Sequence, residues 1–178
     1  LQLEASPDGD YIWVGTFSGL SRLNVDTEKF KHYSLPVSSP SSKQVINRIK
    51  TTSDGTLWIV SERNVYRYYE KNDSIELVSY LPDTTSTLTD IELIGNTLYV
   101  TSTSGLYKLD AIKNSLVLVA YEGVNFTRLV SAERSRFWLG TSTHGICLFN
   151  PNVEPEPITK QCTSEIQGLS DNSVTDIL

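Results

Sequence analysis

Residues that could do chemistry are few and scattered in this chain. It holds two histidines, His32 and His144, and two cysteines, Cys147 and Cys162. Isolated histidines make no metal-ligand pair, and neither His-Glu-x-x-His nor Cys-x-x-Cys occurs, so no metal is expected. Ser18, in Gly15-Thr16-Phe17-Ser18-Gly19, stands one place off a nucleophile elbow and lacks the strand-to-helix context. No glycine-rich phosphate loop is present, and no cofactor is expected. Glu154 and Glu156 could act as paired carboxylates. They alternate with Pro151, Pro155 and Pro157, which reads as an extended loop or edge strand with solvated charges. No residue is therefore assigned a catalytic role.

The two cysteines are too few for a disulfide scaffold. They fall on neighbouring segments long enough to return side by side, so a bridge is open to them. Adjacent-strand bridges are geometrically restricted, which favours two free buried thiols.

The elements behind these residues are those of an ordinary globular chain. Hydrophobic residues make up 39% and charged residues 20% of 178 positions. Fifteen basic against 21 acidic residues give a net charge of -6, which counts against nucleic-acid and anionic-membrane partners. The longest apolar run, Leu116-Val117-Leu118-Val119-Ala120, is far short of the roughly 20 residues of a membrane helix. The chain opens on a strand pattern and holds no methionine, so it reads as a trimmed mature segment.

A repeat organises nearly all of it. Ile12-Trp13-Val14-Gly15-Thr16 with Gly19-Leu20 is the seed. Leu57-Trp58-Ile59-Val60, Leu98-Tyr99-Val100-Thr101 with Gly105-Leu106, and Phe137-Trp138-Leu139-Gly140-Thr141 with Gly145-Ile146 follow. The aromatics Trp13, Trp58, Tyr99 and Trp138 are 45, 41 and 39 residues apart. The glycine, or Asn64 in the second copy, lies six, six, six and seven residues after each aromatic. Val45-Ile46-Asn47-Arg48, Leu88-Thr89-Asp90-Ile91, Phe126-Thr127-Arg128-Leu129 and Val174-Thr175-Asp176-Ile177 are a weaker echo that opens each unit.

Turn pairs such as Asp54-Gly55 and Asn72-Asp73 divide each unit into four short strands. In the second unit these fall near Val45–Lys50, Thr56–Val60, Val65–Tyr69 and Ile75–Tyr80. No segment sustains a helical period. Four strands per repeat of about 40 residues predicts an all-β fold of propeller blades. The blades run about 1–41, 42–84, 85–123 and 124–167, with 168–178 starting a fifth. The second-strand aromatics are expected to be buried between blades. Gly15, Gly19, Gly105, Gly140 and Gly145, with Asn64 standing in for glycine, are expected at positive φ around the next turn.

The repeated Trp-Ile/Val-Gly-Thr-x-x-Gly-Leu pattern resembles the two-component regulator propeller repeat. Ile12 to Asn24 matches closely, and Phe137 to Asn150 matches with one insertion. The tail Gly168 to Leu178 resembles the linker and first strand that begin such blades. The second copy departs with Val60-Ser61-Glu62 in place of Gly-Thr, and the third with Tyr99 for Trp. The resemblance implies a periplasmic sensor segment of a hybrid two-component histidine kinase of the kind found in Bacteroidetes. It implies an oligosaccharide ligand and, as partners, further propeller blades and an immunoglobulin-like module. No kinase motif or membrane helix is present in this sequence, and no direct membrane contact is expected.

Ligand contact is expected at the turns between second and third strands: Phe17, Ser18, Glu62, Arg63, Ser102, Thr103, Thr143 and His144. The alternative is a piece of a propeller-fold glycoside hydrolase or lyase. Sialidase-type Ser-x-Asp-x-Gly-x-x-Trp boxes are approached by Ser6-Pro7-Asp8-Gly9 and Ser53-Asp54-Gly55-Thr56-Leu57-Trp58, with the glycine misplaced. Four complete units and an orphan opening strand predict an open fragment whose two end faces promote self-association.

Overall fold

The computed structural model describes residues 2–36, 44–52, 54–132, 136–153, 162–163 and 168–177. Four antiparallel sheets of four strands follow one another as meanders. Blade one is β1 Gln2–Ala5, β2 Tyr11–Thr16, β3 Gly19–Asn24 and β4 Phe30–Tyr33. Blade two is β5 Arg48–Thr51, β6 Leu57–Ser61, β7 Asn64–Tyr69 and β8 Ser74–Tyr80, with a single 3-10 turn at Glu70–Asn72. Blade three is β9 Leu88–Ile94, β10 Thr97–Ser102, β11 Gly105–Asp110 and β12 Ser115–Ala120. Blade four is β13 Phe126–Ala132, β14 Arg136–Thr141, β15 Ile146–Phe149 and β16 Cys162–Thr163. Glu154 and Glu156, and most of the segment 157–163 expected as the fourth strand of this blade, lie outside the described residues.

The sheets form two compact units, residues 1–82 with blades one and two, and residues 83–178 with blades three and four. Each has its own core. Trp13, Leu20, Ile49, Leu57, Ile59, Tyr66 and Tyr68 fill the first. Tyr99, Leu106, Phe126, Leu129, Phe137, Leu139 and Phe149 fill the second. Within a unit the first strand of one blade runs beside the first strand of the next, β1 by β5 and β9 by β13.

The four repeat aromatics occupy equivalent second-strand positions, as the spacing predicts. Their burial is not equivalent. Trp13 is 4% exposed and Tyr99 8%, because each is capped by the next blade of its own unit: Trp13 by Tyr68 at 4.7 Å between ring centroids, Tyr99 by Phe137 at 4.8 Å. Trp138 is 38% exposed, and Trp58 is half-buried beneath the Arg67 guanidinium. The expectation of four buried aromatics is corrected accordingly.

Two glycines are needed for close approach, contrary to the expectation of positive φ. A Cβ on Gly15 would lie 2.5 Å from the Ile46 side chain, and one on Gly140 2.9 Å from Val174. Ile46 and Val174 belong to the segments that lead into a blade. Ile46 N donates to Thr16 O and Val174 N to Thr141 O, both at 2.9 Å. The tail thus docks on blade four as the lead-in of blade two docks on blade one. A polar bridge recurs beside it, Arg48 to Gln2 in the first unit and Arg128 to Asp176 in the second. The turn before Asn64 also differs from expectation. Glu62, not Asn64, takes the left-handed conformation, with φ of 44°. Ser61 and Asn64 pair across the hairpin there, so the two residues between them carry the reversal.

Cys147 and Cys162 form a disulfide, where restricted geometry favoured free thiols. The register decides it. The two residues are direct partners across β15 and β16, and their Cα atoms are 4.0 Å apart.

Candidate functional site

The expected ligand residues lie at the turns between second and third strands, with Ser102 the last residue of β10. Most of their side chains are already engaged. Arg63 Nη2 donates to Leu81 O at 2.8 Å and fastens its turn to the end of blade two. Ser102 is fully buried, and its Oγ accepts from Ser104 N at 2.9 Å. Thr103 Oγ1 accepts from Thr87 N at 3.1 Å. Glu62 is half-buried at its strained φ. Thr143 Oγ1 meets His144 Nδ1 at 2.9 Å, and His144 N donates to Thr141 Oγ1. Phe17, 78% exposed, and Ser18 have side chains that make no hydrogen bond among the described residues, and Thr143 is exposed in its own unit. Phe17, Ser18, Glu62 and Arg63 belong to the first unit, and Ser102, Thr103, Thr143 and His144 to the second.

Among the described residues there is one serine–histidine side-chain contact. Ser21 Oγ and His32 Nδ1 are 2.8 Å apart across β3 and β4. The pair lies on an open sheet face, His32 stacks beside Phe30, and no carboxylate orients its ring among the described residues. Without an orienting acid or a cavity, it lacks the parts of a hydrolytic triad.

A denser constellation sits in the first unit, at the opposite end of the strands from these turns. Arg22 stands across from Trp13 on β3. Its guanidinium lies 4.3 Å from the Tyr11 ring centroid and within 6 Å of Trp13, Tyr33 and Tyr68. Asp73, held left-handed at the start of β8, supplies the counter-charge. Its Oδ1 accepts from Tyr33 Oη and Tyr68 Oη, each at 2.7 Å. Its Oδ2 accepts from Lys31, and Arg22 Nη1 lies 3.8 Å from Oδ1. Arg22 Nη1 also donates to Tyr68 Oη at 2.8 Å. Burial works to raise the Asp73 pKa, but the Lys31, Tyr33 and Tyr68 hydrogen bonds and the Arg22 charge outweigh it and hold it at about 2. Burial and the bond to Asp73 push the Tyr68 phenol up to about 12, and Tyr33 higher still.

Beside this cluster is a cavity of about 60 Å³, lined among others by Ser6, Asp8, Tyr11, Arg22, Thr51 and Glu70. The Thr51 hydroxyl on its wall is buried without a hydrogen-bond partner. Asp8 forms the rim. Ser6 Oγ and Asp10 N donate to its carboxylate, and these bonds hold its pKa below the usual range. Thr52 and Asp54 repeat this turn in blade two, with Thr56 N donating to Asp54 at 3.0 Å. The near-matches to sialidase boxes are therefore turn formers. The cavity offers guanidinium N–H donors, carboxylate acceptors and aromatic walls. It is large enough for one hydroxymethyl or similar substituent and too small for a whole sugar ring.

Sequence reading missed this cluster because Arg22 and Asp73 belong to different blades. The available clue was a cation nine residues after each of the first three repeat aromatics: Arg22, Arg67 and Lys108.

Among the described residues no helix is long and apolar enough to cross a membrane, and no three metal-ligating side chains cluster. No family model matches the chain, and no curated protein matches it. Solved structures do. The extracellular domain of the hybrid two component system BT4673 from B. thetaiotaomicron matches 99% of the chain with a TM-score of 0.77 at 16% identity. That of BT3049 from the same organism matches 99% with a TM-score of 0.71, also at 16% identity. The chain covers 24% and 23% of those two structures, so it spans about a quarter of their length. A catalytically inactive virginiamycin B lyase from Staphylococcus aureus matches 84% of the chain, and is itself covered to 51%, with a TM-score of 0.67 at 16% identity. At these identities the likeness is one of fold: the chain is built of β-propeller blades like those of the extracellular domains of hybrid two-component systems.

Proposed function

We propose that this chain is a non-catalytic, ligand-sensing part of an extracytoplasmic β-propeller in a hybrid two-component histidine kinase, responding to oligosaccharides. The observation that carries the reading is the match of 99% of the chain to extracellular domains of such systems. The Cys147–Cys162 bridge supports an oxidising compartment such as the periplasm. A sugar chain would lie along the first unit with a hydroxymethyl group in the Arg22 cavity. Exposed Phe17 and Ser18 would offer further contacts at the other end of the first unit's blades. Further blades and an immunoglobulin-like module of the parent protein would be its neighbours.

Titration of the chain with defined oligosaccharides tests the reading, with tryptophan fluorescence and calorimetry as readouts. Saturable binding weakened by Arg22→Ala supports it. Absence of binding across glycan classes removes the ligand. The lyase-like neighbour makes a propeller enzyme the second reading. Release of new reducing ends or unsaturated products from mixed polysaccharides would establish that one instead.

A further inference from the structure

The cavity in the first unit is uneven in charge. Its charged lining is one cation, Arg22, against two carboxylates, Asp8 and Glu70. Asp73 and Lys31 stand behind Arg22 and are paired with each other, so they leave that balance unchanged.

Each of the three groups is in place before any guest arrives. The Arg22 guanidinium stacks 4.3 Å from the Tyr11 ring centroid and donates Nη1 to Tyr68 Oη at 2.8 Å. Its Nε and Nη2 make no hydrogen bond among the described residues, which leaves N–H donors for a guest. Asp8 spends Oδ1 on Ser6 Oγ and Asp10 N, and its Oδ2 accepts from no described residue. Those two bonds, Ser6 foremost, keep the carboxyl ionised. The Glu70 carboxylate is exposed and makes no hydrogen bond or ion pair among the described residues. Thr51 Oγ1 is buried in the same wall without a partner, and a hydroxyl seated against it would supply one.

A guest group can be chosen by elimination. The volume of about 60 Å³ admits about two heavy atoms. A hydroxymethyl group has that size, and its oxygen accepts from Arg22 while its hydrogen goes to Asp8 or Glu70. A methyl group displaces water and pairs with none of these. A carboxylate accepts from Arg22 but adds a third negative charge beside two, and a single guanidinium offsets only part of that. We infer that this cavity selects neutral hexose units by their C6 group, seating a primary hydroxyl and rejecting 6-deoxy and C6-carboxylate sugars. The inference rests on the oligosaccharide reading above and narrows it to one substrate class.

Calorimetric titration of the 178-residue chain with three matched sets tests this: neutral hexose oligomers, their 6-deoxy counterparts and their C6-oxidised uronates. The neutral set binds best. The 6-deoxy set binds at least about tenfold more weakly, at any salt concentration. The uronates bind at least about fivefold more weakly at low salt, and that deficit shrinks in ~1 M NaCl, where exposed charges are screened within about 3 Å. Glu70→Gln and Asp8→Asn each recover uronate binding and leave the 6-deoxy deficit as it was. Glu70→Gln breaks no side-chain bond described in the fold, and the asparagine of the other variant keeps an acceptor for Ser6 and Asp10 N. Circular dichroism with the thermal midpoint confirms that each variant folds. Uronates or 6-deoxy sugars that match the neutral set overturn the inference and leave the oligosaccharide reading standing. So does a uronate deficit that ignores both substitutions, or neutral binding that Arg22→Ala leaves unchanged. Binding by none of the three sets overturns the inference and the reading together.

Discussion

The two seams use one backbone plan and opposite chemistry. In the first unit the residue across from the repeat tryptophan is Arg22, buried enough to need a counter-charge. Asp73 provides it, with two tyrosine hydroxyls completing the network. In the second unit the corresponding cation, Lys108, is exposed, and the seam is closed by Tyr99, Phe137 and Phe149. The second unit adds a covalent tie to a two-residue fourth strand. Each seam also has a carboxylate that accepts a backbone N–H from the next blade, Glu4 from Thr51 and Asp90 from Leu129. A repeat can therefore keep its geometry while its stability rests on electrostatics in one place and on apolar packing in another. The polar seam is the one that also encloses a cavity with donors and acceptors.

The contrast breaks most sharply at Phe137. It is fully buried against Tyr99 and Phe149. Phe137→Ala is expected to destabilise the second unit by about 3–5 kcal/mol. Hydrogen exchange should rise across residues 83–178, while protection within residues 1–82 should stay. Equal loss in both units would mean that the two cores do not act separately.

Reduction of the disulfide comes next. The bridge spans a sequence separation of 15, and the entropy of a loop that size corresponds to about 3 kcal/mol. Cys147→Ala with Cys162→Ala, or added dithiothreitol, should lower the unfolding midpoint of the second unit and leave the first unchanged. If the midpoint of the wild-type chain does not respond to reductant, the strand is held by packing alone.

The first unit should respond to acid through Asp73. Asp73 titrates at about 2 when folded, below its ordinary 3.8. A depressed folded pKa means that the stabilisation is full above about pH 4 and is lost as pH falls toward 2. Asp73→Asn removes it at all pH values, at a cost of about 1 kcal/mol because the carboxyl is 35% exposed. Urea unfolding at pH 6, 4 and 2 compares the two. The difference between wild type and variant should shrink with falling pH, and a constant difference would place the contribution elsewhere.

These predictions rest on features of uneven visibility in the sequence. The strands and hairpins were legible because the aromatic-to-glycine spacing recurs, and β2, β6, β10 and β14 all carry their aromatic as expected. The end of the array was legible too, since Val174-Thr175-Asp176-Ile177 repeats the lead-in of earlier blades and docks like one. Pairings between strands were not. Arg22 meets Asp73 only because neighbouring blades stack, and Cys147 meets Cys162 only because the register puts them opposite. Periodicity sets which face a side chain takes but not what lies beyond that face. That is why four equivalent aromatics ended with unequal burial. The reason for Gly15 was hidden likewise, because its tight neighbour is Ile46, in the lead-in to the next blade.

The smallest expected effect sharpens the comparison of hairpins. In blades one and three the residue at positive φ is glycine, Gly19 at 128° and Gly105 at 150°. In blade two it is Glu62 at 44°. A residue with a Cβ costs about 1–2 kcal/mol in the left-handed region, and glycine avoids this. Glycine also gives up more freedom on folding, which offsets part of the gain. Among the described residues the Glu62 carboxylate has no hydrogen bond or ion pair, so little else is lost with it. Glu62→Gly should thus raise stability by about 0.5 kcal/mol, read as a small rise in the unfolding midpoint of the first unit. Gly19→Ala, the reverse change in the equivalent hairpin, should lower it by a larger margin. If Glu62→Gly instead destabilises the chain, the glutamate side chain contributes to the fold or to solubility in a way that backbone strain does not capture.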